Sequence, residues 1–195
     1  MSVKTRAVTL VELMVAVFLL SMILLTGATV DLASRRFLRV SDRQAELQNE
    51  LSPILLSIKR DINRSGGWVN NPGITIAANR INIRMDIDNV GNQHNPPTKA
   101  TTDDFGYTYQ TVGNEMRYYG PYAGALPAAF RVLSSRITVF FLAIRTSPTL
   151  VPIGANVAIT ACYNPAGVAP NQCGTVNNPI MTLTTTAYAI SQSGN

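Results

Sequence analysis

The chain has 195 residues, of which 46% are apolar and 14% are charged. This length corresponds to one modest domain with an extension, and the apolar content excludes a disordered protein. Two cysteines are too few for a disulfide scaffold, and one histidine leaves little for a histidine-based metal or catalytic centre. Residues 65–195 carry seven basic and five acidic side chains, a net charge of +2, so the sequence has no strong nucleic-acid signal.

The N-terminus predicts a short basic leader followed by a membrane helix. Residues 1–7 carry Lys4 and Arg6, and residues 13–30 read LMVAVFLLSMILLTGATV without a charge. At about 1.5 Å per residue this run spans roughly 27 Å, close to the hydrocarbon thickness of a bilayer. Positive charge before the run places the leader in the cytoplasm and the rest of the chain outside it. A buried core helix is the alternative.

Glu12 is an exception within this apolar region. A carboxylate deep in a bilayer costs roughly 2.5–3.5 kcal/mol on insertion scales. One interpretation is a glutamate at headgroup level that simply reaches water. The other is a buried carboxylate with a cationic partner, and no Lys or Arg lies within two helical turns C-terminal to Glu12. In that case we expect the partner to come from another chain, or from a new amino terminus created by cleavage nearby.

Residues 7–14, which read AVTLVELM, resemble the processing signature of type IV prepilins (the class III signal), whose usual form is G-F-T-L-x-E. The resemblance implies that a prepilin peptidase cuts between Ala7 and Val8 and methylates the new amine of Val8. Glu12 then stands fifth in the mature chain, where the family's glutamate pairs with the amine of a neighbouring subunit. Ala7 replaces the family's usual glycine, and Val8 replaces its usual phenylalanine.

The helix is predicted to continue beyond the membrane as an amphipathic segment. Its apolar residues recur three, four or seven positions apart over about seven turns. They are Phe37, Val40, Leu47, Leu51, Ile54, Ile58 and Ile62. One helix from Val8 to Ser65 would be roughly 85 Å long, with a kink at Pro53 and an end at Gly66-Gly67. We therefore divide it into a transmembrane or filament-core half, 8–30, and an amphipathic half, 31–65.

Four arginines follow the apolar run: Arg35, Arg36, Arg39 and Arg43. They could form a stripe that binds DNA or lipid. We favour a solvated, membrane-proximal face that is attracted to anionic headgroups. The apolar stripe could likewise indicate a coiled-coil dimer, but packing against the protein's own globular domain is the preferred interpretation.

Residues 66–195 are predicted to form a β-rich head. Apolar and polar residues alternate over 81–87, and a hairpin is expected from 107–109 and 115–119 around residues 111–114. Residues 136–144 (RITVFFLAI) predict a central strand, and 157–163 and 180–190 predict two more. Four or five antiparallel strands on the C-terminal half of one helix give an α+β, pilin-like lollipop.

The head offers weak candidates for a binding or catalytic site. Asp86 and Asp88 begin a sequence similar to a calcium loop, but Val90 stands where a ligand is needed, so an ordinary turn is favoured. His94 has no nucleophile relay in the sequence around it. Trp68 is interpreted as a core or rim residue, as are Tyr118, Tyr119 and Tyr122. We predict no enzyme, no cofactor and no metal.

Cys162 and Cys173 are separated by 11 positions around YNPAGVAPNQ. In an extracytoplasmic head, a disulfide that closes this loop would stabilise the fold by roughly 2–3 kcal/mol in the loop-entropy picture. Two unpaired thiols are the alternative interpretation.

Residues 47–68, with Asp61-Ile62 before Gly66-Gly67, resemble the end of the long helix in minor pilins of the PilW kind and in the type II secretion pseudopilin GspJ. This resemblance implies a role in priming and assembling a filament. The implied partners are the major pilin, other minor pilins, the prepilin peptidase, the inner-membrane assembly platform and, before assembly, membrane lipid. The alternative is a membrane-anchored or secreted protein that binds a surface, a ligand or DNA.

Overall fold

The computed structural model describes residues 9–66, 73–85, 105–122, 125–146, 152–165, 173–175 and 177–189. It divides the chain into two compact units, Met1–Asp42 and Arg43–Asn195, and the division falls within one long helix, α1 (Leu10–Asn63). The described part of the first unit is helical from Leu10 onward. The second unit combines the rest of α1 with antiparallel sheets, so the fold class is α+β, as predicted.

Helix α1 has 54 residues and is therefore about 80 Å long. Pro53 lies inside it and removes one hydrogen-bond donor without ending the helix. The helix ends at Asn63, and Ser65 then donates hydrogen bonds to a carbonyl group of its last turn. The Ser65 hydroxyl donates to the carbonyl of Ile62 at 2.7 Å, and the Ser65 backbone N–H donates to the same oxygen at 3.0 Å. This end agrees with the expected stop before the glycine pair.

Eight strands form two antiparallel sheets in the described residues. The first sheet has the order β1-β2-β3-β4-β5, and the second has the order β6-β7-β8. The strands are β1 (Ile74–Ala77), β2 (Arg80–Met85), β3 (Phe105–Val112), β4 (Glu115–Tyr122), β5 (Arg131–Ser134), β6 (Ile137–Thr146), β7 (Pro152–Cys162) and β8 (Ile180–Tyr188). The prediction of four or five strands was therefore too low, because β1 and β5 have only four residues each.

The predicted hairpin is present as β3 and β4. Val112 pairs with Glu115, so Gly113 and Asn114 form the two-residue turn. Gly113 has a φ of 60°, a left-handed conformation that the turn requires and that glycine adopts without a Cβ clash.

The strand predicted over 136–144 is present as β6, but its predicted central position was wrong, because β6 lies at the edge of its sheet and β7 is central. The run is apolar on both faces, but only one face is buried. Phe140 is 8% exposed, whereas Val139 and Phe141 are 53% and 58% exposed. A continuous apolar run gives no information about which side of a strand is covered.

One hydrophobic core joins the second half of α1 to both sheets. The helix contributes Leu47, Leu51, Ile54, Leu55, Ile58 and Ile62. The first sheet adds residues such as Ile83 and Tyr109, and the second adds residues such as Phe140 and Ile159. The apolar stripe therefore reaches the core from Leu47 onward. Phe37, at its predicted start, is 73% exposed.

Candidate functional site

The first half of α1 has an exposed apolar surface all around the helix. Seventeen large apolar side chains between Leu10 and Leu38 are each more than half exposed. They are Leu10, Val11, Leu13, Met14, Val15, Val17, Phe18, Leu19, Leu20, Met22, Ile23, Leu24, Leu25, Val30, Leu32, Phe37 and Leu38. The helix is long enough and apolar enough to cross a membrane, as predicted. Such a surface needs lipid or other helices to cover it.

The hydroxyl groups within this apolar run are bonded to the helix itself. Ser21 Oγ donates to the carbonyl of Phe18 at 2.7 Å, and Thr29 Oγ1 donates to the carbonyl of Thr26 at 2.8 Å. Thr26 Oγ1 lies 2.9 Å from the carbonyl of Ile23. Because each hydroxyl has a partner inside the helix, none requires water, and the segment suits a hydrocarbon environment.

Glu12 forms a capping box with Thr9 at the start of α1. The backbone N–H of Thr9 donates to Glu12 Oε2 at 2.8 Å, and the Thr9 hydroxyl donates to the same oxygen at 3.0 Å. In return, the Glu12 N–H donates to Thr9 Oγ1 at 3.3 Å. Sequence reasoning missed this contact, although the spacing T-x-x-E is its known signal. The box stabilises the helix start without any second chain.

In the described residues, no ion pair includes Glu12. Both hydrogen bonds to its carboxylate end on Oε2. The predicted cleavage point between Ala7 and Val8 lies outside the described residues, so the pairing of Glu12 with an amine stays a prediction.

The structure separates the four arginines that sequence analysis grouped together. Arg35 Nε lies 2.9 Å from a carboxylate oxygen of Asp31, one turn earlier. Arg43 belongs to the second unit, where its guanidinium stacks 5.0 Å from the Tyr163 ring and donates to the carbonyl of Asn177. Arg36 and Arg39 have no acidic partner among the described residues.

A polar cluster crosses the core of the second unit between α1 and β3. The Tyr109 hydroxyl donates to Asp61 Oδ2 at 2.6 Å and lies 2.7 Å from Ser57 Oγ. Asp61 is 1% exposed, and its other oxygen accepts from Arg60 Nε at 3.1 Å. Burial raises the pKa of Tyr109, and the hydrogen bond to the Asp61 carboxylate raises it further. The cluster therefore fixes where the helix meets the first sheet.

The tyrosines of β4 lie on opposite faces of their strand. Tyr118 packs against Tyr109 in a tilted arrangement with ring centroids 5.1 Å apart, and burial together with the Asp61 charge raises its pKa to about 12. Tyr119 packs on Phe130 at 5.6 Å, and the Tyr122 hydroxyl lies 2.7 Å from Thr108 Oγ1. All three therefore have packing or hydrogen-bonding partners within the head.

A second cluster surrounds Tyr163, just after β7. Arg136 lies 4.9 Å above the Tyr163 ring and pairs with Glu46 at 2.8 Å and Glu50 at 3.3 Å on α1. The hydrogen bond from Arg136 lowers the pKa of Glu46. These contacts join the helix to the start of β6.

Cys162 and Cys173 form a disulfide, with Cα atoms 5.8 Å apart. Next to it, the buried side chain of Asn178 accepts from the Asn164 N–H at 2.7 Å and donates to the Asn164 carbonyl at 3.0 Å. Together, these contacts hold the chain before β8 against the end of β7.

The remaining candidates from the sequence, Asp86, Asp88, His94 and Trp68, lie outside the described residues. Within the described ranges, no group of three or more His, Cys, Asp or Glu side chains could hold a metal ion. The surface of the first half of α1, with Glu12 at its start, is therefore the candidate functional site.

Neither comparison with known proteins assigns the chain to a family. No protein-family model matches it, and no curated protein matches it.

Proposed function

We propose that this chain is a minor pilin or pseudopilin of a type IV pilus or a type II secretion-like filament. The observation that carries the proposal is the exposed apolar surface of α1, which has the carboxylate of Glu12 near its start and precedes a folded α+β head. The leader resemblance at residues 7–14 supplies the class of filament. In this role the protein does not catalyse a reaction; it acts by helix packing.

The proposed mechanism uses the same apolar surface twice. Before assembly, lipid covers the seventeen exposed apolar side chains, and during assembly the helices of neighbouring subunits replace that lipid. Glu12 of one subunit then meets the methylated amine of Val8 in the next subunit. The capping box leaves room for this contact, because Thr9 bonds only to Oε2 and Oε1 can still accept from an ammonium group.

The proposed partners follow from the same mechanism. A prepilin peptidase removes residues 1–7, and an inner-membrane assembly platform moves the subunit out of the bilayer. The major pilin and other minor pilins then pack against α1. The precursor is a single-pass protein of the cytoplasmic membrane with its head in the periplasm, and the mature subunit lies in the pilus or pseudopilus, at or near its tip.

A second candidate function is a membrane-anchored or secreted protein that binds a surface, a ligand or DNA. The Thr9–Glu12 capping box favours it, because this contact gives Glu12 a partner within its own helix. In that case the apolar helix stays an anchor or is cut near Ala28, and the leader match is accidental.

The intact mass and the N-terminal peptide of protein purified from its native membrane or from sheared filaments test the proposal. We expect a mature chain of 188 residues, which is the 195-residue chain without its seven-residue leader, beginning with N-methylated Val8. A chain that begins at Met1, or one cut near Ala28, would contradict processing by a prepilin peptidase and would favour the anchored protein.

Glu12→Gln separates the two functions further. Glutamine keeps the capping box but removes the charge, so membrane insertion should stay normal. Because loss of one partner of a buried charge pair costs about 2–5 kcal/mol, incorporation into filaments should fall by about thirtyfold or more. Glu12→Ala should give the same loss. Thr9→Val, which removes the hydroxyl part of the cap and keeps the carboxylate, is the matched control and should incorporate well. Normal incorporation of Glu12→Gln would exclude the pairing mechanism.

A further inference from the structure

We propose that Arg35, Arg36 and Arg39 form a binding site for anionic phospholipid headgroups just beyond the apolar run of α1. We call these three residues the arginine face. The inference rests on the proposed function in one respect, since it requires α1 to be inserted in a membrane. It adds the lipid class that the inserted protein selects.

The arginine face is a compact sector of the helix surface. With about 100° of rotation per residue, the three arginines lie within about 100° of one another. Leu32, which is 58% exposed, lies in the middle of this sector and one to two turns closer to the apolar run. Phe37 and Ser34 lie on the opposite side. The three cations therefore lie on one side of the helix, and the nearest acids, Asp31 and Asp42, come before and after them rather than between them.

The charges of the arginine face are not neutralised within the protein. Arg35 has one exposed pair with Asp31, and side chains in that pair are 68% and 58% exposed. Exposed pairs of this kind contribute little and are easily exchanged for other anions. Arg36 and Arg39 have no acidic partner among the residues that the structure describes.

The position of the arginine face matches the depth of lipid phosphates. If Val30 ends the membrane-spanning run, the Cα atoms of Arg35 to Arg39 lie about 8 to 14 Å beyond it. The headgroup layer occupies about 5–8 Å outside the hydrocarbon on each side. Helix side chains lean toward the N-terminus, which is the membrane end of this segment, and long arginine side chains can extend to the headgroups. The guanidinium fork binds phosphate oxygens in pairs.

Charge distribution makes lipid the preferred occupant. Positive residues that follow a membrane span oppose export of that flank, so three arginines at this position carry a cost in the proposed orientation. Binding to anionic headgroups offsets that cost, since each arginine near an anionic surface contributes about 1 kcal/mol. An acidic helix of another subunit is the competing occupant, and it predicts no preference among lipids.

The test uses the full chain in phosphatidylcholine vesicles that contain phosphatidylglycerol. A fluorophore is attached through Ser34→Cys, which the disulfide-bonded native cysteines leave uniquely reactive. Energy transfer is then measured to labelled phosphatidylglycerol and, separately, to labelled phosphatidylcholine. We expect phosphatidylglycerol to be enriched near the label, by at most about fivefold per arginine, and the enrichment to fall as salt is raised.

The double variant Arg36→Gln/Arg39→Gln should show almost no enrichment, so that phosphatidylglycerol is no more abundant near the label than in the vesicle as a whole. Lys59→Gln/Arg131→Gln removes two exposed charges from the head and should leave the enrichment unchanged. Co-flotation with vesicles after alkaline extraction reports insertion separately. Inserted protein without a preference for phosphatidylglycerol, or with a preference that survives Arg36→Gln/Arg39→Gln, would overturn the lipid site alone. Protein that fails to insert would overturn both the lipid site and the proposed membrane helix.

Discussion

The two halves of α1 place their apolar residues in opposite ways. In the first unit, seventeen large apolar side chains surround the helix and are each more than half exposed. In the second unit, Leu47, Leu51, Ile58 and Ile62 follow one stripe and are fully buried against two sheets. The second half packs against the sheets of its own unit. The apolar side chains of the first half are exposed, which is why we propose lipid and neighbouring subunits as their partners.

The polar contacts of the two units differ in the same way. In the first unit they join residues three or four apart, as in Thr9 with Glu12 and Asp31 with Arg35. In the second unit many also reach across the chain, as in Asp61 with Tyr109, 48 residues apart. Local contacts do not depend on what surrounds the helix, so they would survive the move from lipid to a filament that we propose. Long-range contacts help to specify a single fold, and their loss should destabilise it.

The largest expected effect is a difference between matched core and surface substitutions. Ile58→Ala removes a fully buried side chain and should lower the free energy of unfolding of the head by about 2–5 kcal/mol. Leu24→Ala removes a side chain that is 65% exposed and should change it by less than about 0.5 kcal/mol. Urea unfolding in mild detergent, followed by tyrosine near-UV circular dichroism, measures both. Equal destabilisation would contradict the division into two units.

Tyr109→Phe should give an intermediate effect. It leaves the buried Asp61 carboxylate without its 2.6 Å hydrogen bond, which should cost about 1–3 kcal/mol at neutral pH. We also expect the stability of the folded protein to depend on pH through the Tyr109 hydroxyl. Burial raises the pKa of Tyr109 above its ordinary value of 10.0, so the folded protein keeps a proton that the unfolded chain loses. Stability should therefore fall as pH rises above about 10.

The Tyr109→Phe variant should lose stability less steeply than the unsubstituted protein between pH 9 and 11. Tyr118, whose pKa is raised to about 12, contributes to the same slope and remains in both proteins. With no free cysteine in the chain, disulfide exchange does not complicate these alkaline measurements. Identical slopes for the two proteins would show that Tyr109 is not protected from ionisation by the fold.

The spacing of apolar residues was enough to predict the elements that have a long repeating pattern, and turn residues were enough to predict the hairpin. The helix, its stripe from Leu47 onward, the alternation of β2 and the turn at Gly113 are of this kind. The four-residue strands β1 and β5 carry too few residues to show a period. The edge position of β6 depends on which strands pair with it, and that is a property of the whole sheet rather than of its own residues.

Sequence reasoning singled out Glu12 because a carboxylate is costly in an apolar run, but it overlooked the capping contact with Thr9. It grouped Arg43 with the other arginines because they are close in sequence. In the structure Arg43 contacts Tyr163 and Asn177, more than a hundred residues away. Asp61 was singled out only as part of the Asp61-Ile62 sequence before the glycine pair. In the structure it is buried and accepts a hydrogen bond from Tyr109. Such pairings depend on tertiary contacts and have no short-range signal.

The smallest expected effect concerns acid stability, and Glu46→Gln tests it. The hydrogen bond from Arg136 holds the pKa of Glu46 below its ordinary value of 4.5. The ion pair therefore stabilises the folded head above that value, and this contribution is lost as pH falls through the lower, folded pKa. Glu46→Gln should lower the melting temperature slightly at pH 6 and should reduce its further fall toward pH 3. The effect is small because half of the Glu46 side chain is exposed and salt screens the pair.

Asp31→Asn is the control for this prediction. It removes an acid from the first unit and should leave the melting curve of the head unchanged at every pH. A Glu46→Gln curve parallel to that of the unsubstituted protein would show that this long-range pair, unlike Asp61 with Tyr109, adds nothing to the fold.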